Sequence, residues 1–320
     1  DLHLSLRRQR QMCIRDSGCS VTDYNWPTWA DIICYEYQDQ VPCHNYGNSG
    51  TGNTAIAQHV AASHLEHTFT EDDLILITWS SWNRSDKLIP LGGDRNNIKY
   101  SKWGNVLQNS HYSDDYIRYY WSLEDDVMQN ITARVSVDQF PGVHFNGNIA
   151  LTLHEKLAGP QKDDLYENFS QYIAPNGFPT VEKTMPYHEV VAKFDGHPTP
   201  IAHLNYLDTV VLPGIGDRLT ISADTRQWVS EWENWLNQKL KRVSSRQQYG
   251  DVLQGSQERR LNSLKSTEQW NSLFRTKDYM KGDNQLLPVA STLTENNTLK
   301  ISISSGINRL FSLYKDYTDE

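Results

Sequence analysis

The chain has 320 residues, enough for two domains or for one domain with additions. Its net charge of -9 leaves no chain-wide basic surface, so nucleic acid is not an expected partner. The longest apolar runs, such as LILITW at 74–79, are too short to cross a bilayer, so we expect no membrane partner either.

The first 17 residues, DLHLSLRRQRQMCIRDS, differ in character from the rest of the chain. They are basic at RRQR in an acidic chain, and the apolar stretch that a secretory signal needs does not follow. The string RRQRQMCIRDS resembles translated sequencing-adapter read-through. We therefore expect residues 1–17 to be an artefactual leader that has partly overwritten a natural first strand.

Four cysteines, Cys13, Cys19, Cys34 and Cys43, lie near the start of the chain. Their spacing does not match the paired C-x-x-C units of a zinc ribbon. Disulfides persist mainly in oxidising compartments, and no secretory signal is recognised here. We therefore expect reduced thiols and a cytoplasmic location.

Strand and helix patterns alternate along residues 18–212. Trp29, Ile32 and Ile33 have helical spacing, whereas LILITW is a continuous apolar run typical of a buried strand. This alternation predicts an α/β fold with a parallel sheet covered by helices on both faces. The other expected elements are strand 41–47, helix 54–67, loop 90–105, helix 113–140, strand 143–155, an irregular region 156–187 and a helix that ends before Pro213.

Residues 213–320 form an extension of different character. A helix is expected at 223–243, where Trp228, Trp232 and Trp235 recur on one stripe and basic residues follow. Such a stripe indicates packing rather than ligand binding. Residues 244–300 are rich in Ser, Gln, Asn, Lys and Arg, which predicts a loosely packed polar tail or a partner-binding arm.

Four polar loops carry groups suited to catalysis. They are Gly18-Cys19-Ser20, NYGNSGTGN at 45–53, WSSWNR at 79–84 and DGHP at 195–198. In a doubly wound sheet such loops gather along one edge, where ligands bind. A hydroxyl, a histidine and a carboxylate are the parts of a nucleophilic acyl-transfer site. A lone Gly-x-Ser is more often an ordinary turn, so this hypothesis depends on the four loops together.

In this order the motifs resemble the SGNH (GDSL-type) hydrolase superfamily over residues 18–212, and GCSVTDYNWPTWA resembles members from marine phages and bacteria. The resemblance implies a three-layer α/β/α flavodoxin-like domain that uses no cofactor. It also implies Ser20 as the nucleophile, His197 as the general base and Asp195 as the carboxylate that orients His197. Cys19 stands where the family has Asp, and Asp195 lies two residues before the histidine rather than three.

The same resemblance implies further roles around the nucleophile. The amide of Gly50 and the side chain of Asn83 would stabilise the oxyanion, with Ser81 as the substitute because the third motif departs from the family's Gly-x-Asn-Asp. Arg84 and Trp82 would contact the substrate. A solvated surface arginine is an equally good interpretation of Arg84.

Functions from different classes stay open. The first is a serine esterase, acyl hydrolase or acyltransferase acting on an ester. A carbohydrate O-acyl ester is favoured because several tryptophans could stack on sugar rings, namely Trp26, Trp29, Trp79, Trp82 and Trp103. The alternative is a catalytically degenerate module of the same fold that binds a glycan or a partner protein, and an assembly protein is a third. No metal is expected: three histidines could converge on one, His188, His197 and His203, but no acidic partner has ligand spacing.

Overall fold

The computed structural model of the protein describes residues 13–80, 84, 86–92, 99–105, 115, 119, 122–148, 188–216 and 218–264. The strands are β1 (Ile14–Gly18), β2 (Cys43–Asn45), β3 (Leu74–Trp79), β4 (Asp86–Gly92), β5 (Lys99–Asn105) and β6 (Val143–Asn148). The helices are α1 (Trp29–Tyr37), α2 (Asn53–His67), α3 (Leu123–Val137), α4 (Glu189–Phe194), α5 (Pro200–Tyr206), α6 (Leu212–Gly214), α7 (Ala223–Leu240) and α8 (Arg246–Ser263). A π-helical segment, Leu207–Val211, joins α5 to α6.

A parallel sheet in the order β2-β1-β3-β6 forms the centre of the molecule. Alternate residues of β3 face opposite sides of this sheet. Leu74 and Leu76 join a core built largely from α1, α5 and the π-helical segment, whereas Ile75 and Ile77 join a core with α2 and α3. Both faces are therefore covered, and the predicted α/β class with a parallel sheet between helices is confirmed.

Strand β1 contains residues 14–17, which the leader hypothesis had set apart from the fold. It lies between β2 and β3 in the sheet, and all five of its residues are buried. Among the described residues, Nε and Nη1 of Arg15 and Oδ1 of Asp16 have no hydrogen-bond partner. Residues 14–17 are thus part of the folded domain, and they place charged side chains where a central parallel strand is ordinarily apolar.

An antiparallel pair of strands, β4 and β5, occupies much of the segment expected to be a loop at 90–105. Pro90 lies within β4, which is tolerated in a strand at the edge of a sheet. Glycine and proline in this segment predicted a turn. A two-stranded ribbon can still form there, because its backbone hydrogen bonds do not depend on alternating apolar side chains. The loop interpretation was therefore wrong for residues 90–92 and 99–105.

The extension contributes two long helices to the described structure. The helix expected at 223–243 spans Ala223–Leu240 and is capped by Ser222. Residues 246–263, expected to belong to a polar tail, form α8, whose start is closed by a capping box at Ser245. Both helices join a core cluster that includes Tyr24 and Trp26, which lie between β1 and α1. The predicted irregular region 156–187 and the tail beyond residue 264 lie outside the described residues.

No helix in the described ranges combines the length and apolar character that crossing a membrane requires.

Candidate functional site

The carboxyl end of β1 leads into the turn that carries Ser20. The carbonyl oxygen of Cys19 accepts hydrogen bonds from the amides of Thr22 (2.9 Å) and Asp23 (3.0 Å), which closes the turn. Ser20 is 8% exposed, and its hydroxyl oxygen lies 3.8 Å from Cys19 Sγ. The serine therefore stands at the sheet edge where ligands bind in doubly wound folds.

The loop after β2 packs against this turn. Asn45 donates from Nδ2 to the carbonyl oxygen of Thr22 (2.8 Å), and the amide of Asn48 donates to the carbonyl oxygen of Gly18 (2.9 Å). Gly50 has a φ of 82°, in the left-handed region that glycine adopts without strain. Two of the four predicted polar loops are thus joined by direct hydrogen bonds.

The segment 195–198 forms a carboxylate–imidazole pair. Nδ1 of His197 lies 2.5 Å from Oδ1 of Asp195, so the two side chains are in direct hydrogen-bond contact. Gly196 between them has a φ of 73°, which reverses the chain so that residues two apart can meet. The two-residue spacing, which departs from the family pattern, is therefore compatible with an Asp–His contact.

Two tyrosines complete the surroundings of this pair, and sequence analysis had singled out neither. The ring of Tyr24 stacks on His197 with centroids 4.0 Å apart, and its hydroxyl donates to Oδ2 of Asp195. Tyr249 of α8 donates to the same oxygen at 3.3 Å. Burial, followed by the nearby Asp195 charge, raises the pKa of Tyr249 well above its ordinary value. Both contacts join distant parts of the chain, so no local pattern marks them.

Ser20 and His197 lie on adjoining segments. Trp26 donates from Nε1 to the carbonyl oxygen of Pro198 (2.7 Å), and Tyr24 stacks on His197, so the chain after Ser20 packs on the chain around His197. Within the described part of the chain, no hydrogen bond joins the Ser20 hydroxyl to the His197 ring. The structure brings the two segments together without a closed serine–histidine hydrogen bond.

The loop after β3 is described at Ser80 and Arg84. Arg84 donates from Nη1 to the carbonyl oxygen of Thr51 (3.0 Å), so its side chain supports the loop after β2. Asp86 accepts hydrogen bonds from the amides of Gly52 (2.9 Å) and Ala55 (3.2 Å) at the start of α2. Burial raises the pKa of Asp86 to about 6. The predicted residues Ser81, Trp82 and Asn83 lie outside the described residues.

The tryptophans that favoured a sugar substrate are mostly core residues. Trp26 and Trp29 have no exposed surface, and Trp79 is 1% exposed. Their rings therefore cannot stack on a sugar, and this part of the carbohydrate argument was wrong. The side chains of the other two tryptophans, Trp82 and Trp103, are outside the part of the chain that the structure describes.

The three histidines considered as metal ligands have other surroundings. His188 accepts a hydrogen bond from the amide of Val190 and caps α4, while His197 contacts Asp195. His203 is 1% exposed, and burial, with the nearby His197 and Arg260 charges, lowers its pKa to about 3. Across the described ranges, no group of three His, Cys, Asp or Glu side chains is placed to hold a metal.

Comparison with known proteins gives one structural similarity to report. No protein-family model matches the chain, and no curated protein sequence matches it. The chain is similar to the crystal structure of a member of the lipolytic protein G-D-S-L family from Veillonella parvula DSM 2008. The sequence identity is 14% and the TM-score is 0.32, and the match covers 65% of this chain and 100% of that chain. At this level of similarity no residue role transfers, so the chemistry rests on the geometry of the site.

Proposed function

We propose that the protein is a serine hydrolase that cleaves an ester, with Ser20 as the nucleophile, His197 as the general base and Asp195 orienting His197. The observation that carries this proposal is the 2.5 Å contact between His197 Nδ1 and Asp195 Oδ1, beside the turn that bears Ser20. With Nδ1 bound to the carboxylate, Nε2 is the ring nitrogen that can accept a proton. A hydroxyl and an oriented imidazole at one sheet edge are what nucleophilic acyl transfer requires.

The proposed reaction has two halves. Nε2 of His197 takes the hydroxyl proton as Ser20 Oγ attacks the carbonyl carbon of the ester. The tetrahedral intermediate breaks its bond to the alcohol oxygen, which receives the proton from His197, and Ser20 keeps the acyl group. Water, deprotonated by the same nitrogen, then attacks the acyl carbon. The second tetrahedral intermediate breaks its bond to Ser20 Oγ, which receives that proton from His197, and the acid leaves.

This mechanism requires one rearrangement of the nucleophile. The Ser20 hydroxyl must turn from Cys19 Sγ, 3.8 Å away, toward Nε2 of His197. Catalytic hydrogen bonds are often long without substrate and tighten only when it binds. The proposed oxyanion donors are the amides of Ser20 and Gly50, each worth about 3 kcal/mol of transition-state stabilisation in comparable sites. Asn83 as a third donor stays a prediction.

A second candidate function is a non-catalytic binding module of the same architecture. It is favoured by the missing hydrogen bond between the Ser20 hydroxyl and the His197 ring among the described residues. In that case the Asp195–His197 pair would be a structural remnant that braces the loop. The two candidates differ in whether Ser20 reacts.

The test is covalent labelling with a fluorophosphonate probe, together with hydrolysis of p-nitrophenyl acetate. We expect both signals in the unsubstituted protein and the loss of both in Ser20→Ala and His197→Gln. Ser80→Ala is the matched control, because Ser80 is a buried serine at the end of the neighbouring strand whose hydroxyl has no partner among the described residues. Labelling that survives Ser20→Ala, or that is absent from the start, contradicts the hydrolase proposal.

The substrate class within this proposal is open to a direct comparison. A carbohydrate O-acyl ester is still proposed, although the three buried tryptophans no longer support it. Acetate release from an acetylated oligosaccharide should then exceed release from a simple alkyl acetate at equal concentration. Equal rates on both would restrict the proposal to ester hydrolysis in general.

A further inference from the structure

Helix α8 belongs to the extension, yet it reaches the candidate site at both ends. Tyr249 and Arg260 lie about three helical turns apart, so their side chains leave the same face of the helix. Both are buried, at 3% and 4% exposure. Each contacts a different part of the candidate site.

Tyr249 contacts the carboxylate that orients the imidazole. Its hydroxyl donates to Oδ2 of Asp195 at 3.3 Å, while Oδ1 of that carboxylate faces Nδ1 of His197. Its ring stacks on Phe194 with centroids 5.3 Å apart. The hydroxyl of Tyr24 donates to the same Oδ2. Two tyrosines therefore restrain one oxygen of Asp195 and leave the other to the histidine.

Arg260 fixes the segment that stacks on the imidazole. Its guanidinium binds Asp31 through Nε (2.9 Å) and Nη2 (2.8 Å), and Nη2 also lies 2.8 Å from Asp23. Nη1 donates to the carbonyl oxygen of Tyr24 at 2.5 Å. Burial opposes the charge, but Asp31 and Asp23 raise the pKa of Arg260 above its ordinary value. The guanidinium stays charged and holds the backbone of Tyr24, whose ring covers His197.

We propose that α8 is a positioning element of the candidate site, with Tyr249 holding Asp195 and Arg260 holding Tyr24 against His197. This inference rests on the proposed hydrolase function. It makes the C-terminal extension a part of the site rather than an addition to it. Tyr249 touches neither the serine nor the reacting atoms in this scheme, so it acts through Asp195.

The other ionisable groups around the Asp195–His197 pair either have their own partners or are neutral near pH 7. Arg246 of α8 donates to the carbonyl oxygen of Phe194 at 3.5 Å, and its charge acts on Tyr249. His203 of α5 is buried with a lowered pKa, so it is neutral near pH 7. Asp23 and Asp31 are paired with Arg260. The tyrosine hydroxyls are thus the groups whose removal acts most directly on Asp195.

The variant that tests the inference is Tyr249→Phe in the full chain, which removes the hydroxyl and keeps the ring that packs on Phe194. Because hydrogen bonds to charged groups are strong, we expect kcat for p-nitrophenyl acetate to fall by about tenfold with KM unchanged. We also expect the acidic limb of the rate-versus-pH profile to move. Arg260→Lys, which keeps the charge and loses the bidentate geometry, should reproduce the kcat loss.

The matched control is Tyr37→Phe. The Tyr37 hydroxyl also joins the first domain to the extension, since it donates to the carbonyl oxygen of Thr220 (3.0 Å) and accepts from the Thr220 amide (2.8 Å), but it does not touch Asp195. We expect its kcat, KM and pH profile to match the unsubstituted protein. A merely structural role of α8 would make Tyr249→Phe behave like Tyr37→Phe, and that result would overturn the inference.

A second readout separates this inference from the proposed function. In protein labelled with 15N-histidine, the Nδ1 proton of His197 should give a downfield signal that disappears in His197→Gln. In Tyr249→Phe, and not in Tyr37→Phe, that proton should exchange faster with water. If Ser20 proves unreactive, the hydrolase proposal fails, and the Nδ1 signal alone decides the positioning role. An unchanged signal in Tyr249→Phe refutes that role.

Discussion

Replacing Asp16 by valine is expected to stabilise the protein, because this carboxyl group lies in the core without adequate partners. Asp16 has no exposed surface and lies in the central strand β1. Among the described residues its Oδ1 has no hydrogen-bond partner, and its Oδ2 has only a sulfur contact, with Cys34 Sγ at 3.8 Å. Burial raises the pKa of Asp16 well above its ordinary value.

The magnitude follows from four contributions. A buried polar atom without a partner costs about 1–3 kcal/mol. Each methyl group buried in its place contributes about 0.8 kcal/mol, and the strand preference of valine adds less than about 1 kcal/mol. Strain from the extra volume in a packed core opposes these gains by roughly 1–3 kcal/mol. We therefore expect Asp16→Val to raise the free energy of unfolding by about 2 kcal/mol.

The assay is urea denaturation of Asp16→Val and of a matched variant, Asp73→Val. Asp73 is also buried, but its carboxylate accepts hydrogen bonds from the amides of Cys13 (2.9 Å) and Thr70 (2.7 Å), so its loss should destabilise the protein. The raised pKa means that the folded state favours protonated Asp16. The contribution of Asp16 to the free energy of unfolding therefore declines as pH rises above about 4. The advantage of Asp16→Val should widen from pH 4 to pH 8. A destabilised Asp16→Val, or a constant difference across pH, would refute the reasoning.

Two further predictions concern the supports of the site. Burial raises the pKa of Asp86 to about 6, so the unsubstituted protein should lose about 2 kcal/mol of stability relative to Asp86→Asn as pH rises from 4 to 7. Urea denaturation at each pH measures this difference, and parallel stability curves for the two proteins would contradict it. A Cβ on Gly18 would lie 2.0 Å from Thr22 Oγ1 and 2.9 Å from the carbonyl oxygen of Thr78. Gly18→Ala should therefore lower the free energy of unfolding by about 1–3 kcal/mol and slow the labelling of Ser20. In Gly255→Ala of α8 nothing lies within 4 Å of the new Cβ, so this change should instead raise the free energy of unfolding by about 0.5–1 kcal/mol. Equal effects of the two glycine substitutions on stability would exclude the packing argument.

The elements that sequence predicted well are those whose pattern matches their surroundings. LILITW forms β3 at Leu74–Trp79, because a strand covered on both faces is apolar throughout. Strand β1 escaped prediction for the opposite reason, since Arg15 and Asp16 occupy buried positions. No rule based on hydrophobic pattern assigns IRDSG to the middle of a sheet. Its position comes from its pairing with β2 and β3.

Helix α8 shows a different limit of sequence interpretation. Its buried residues recur at intervals that match one helical face: Tyr249, Val252, Leu253, Ser256 and Arg260. The stripe is disguised because Ser256 and Arg260 are polar. Arg260 is buried because Asp23 and Asp31 neutralise it, and those residues lie more than two hundred positions earlier. A polar composition was therefore interpreted as a tail, although it encodes a packed helix with an ionic anchor.

The spacing of the proposed Asp195–His197 pair illustrates how the fold can accommodate a departure in sequence. In an extended segment, residues two apart lie on the same side, with Cα atoms about 7 Å from each other. At Gly196 the chain takes a positive φ, which brings Asp195 Oδ1 to 2.5 Å from His197 Nδ1. The other carboxylate oxygen, Oδ2 of Asp195, accepts hydrogen bonds from the hydroxyls of Tyr24 and Tyr249. The two-residue spacing and helix α8 are thus physically connected, because Tyr249 of that helix donates a hydrogen bond to the carboxylate beside the glycine turn.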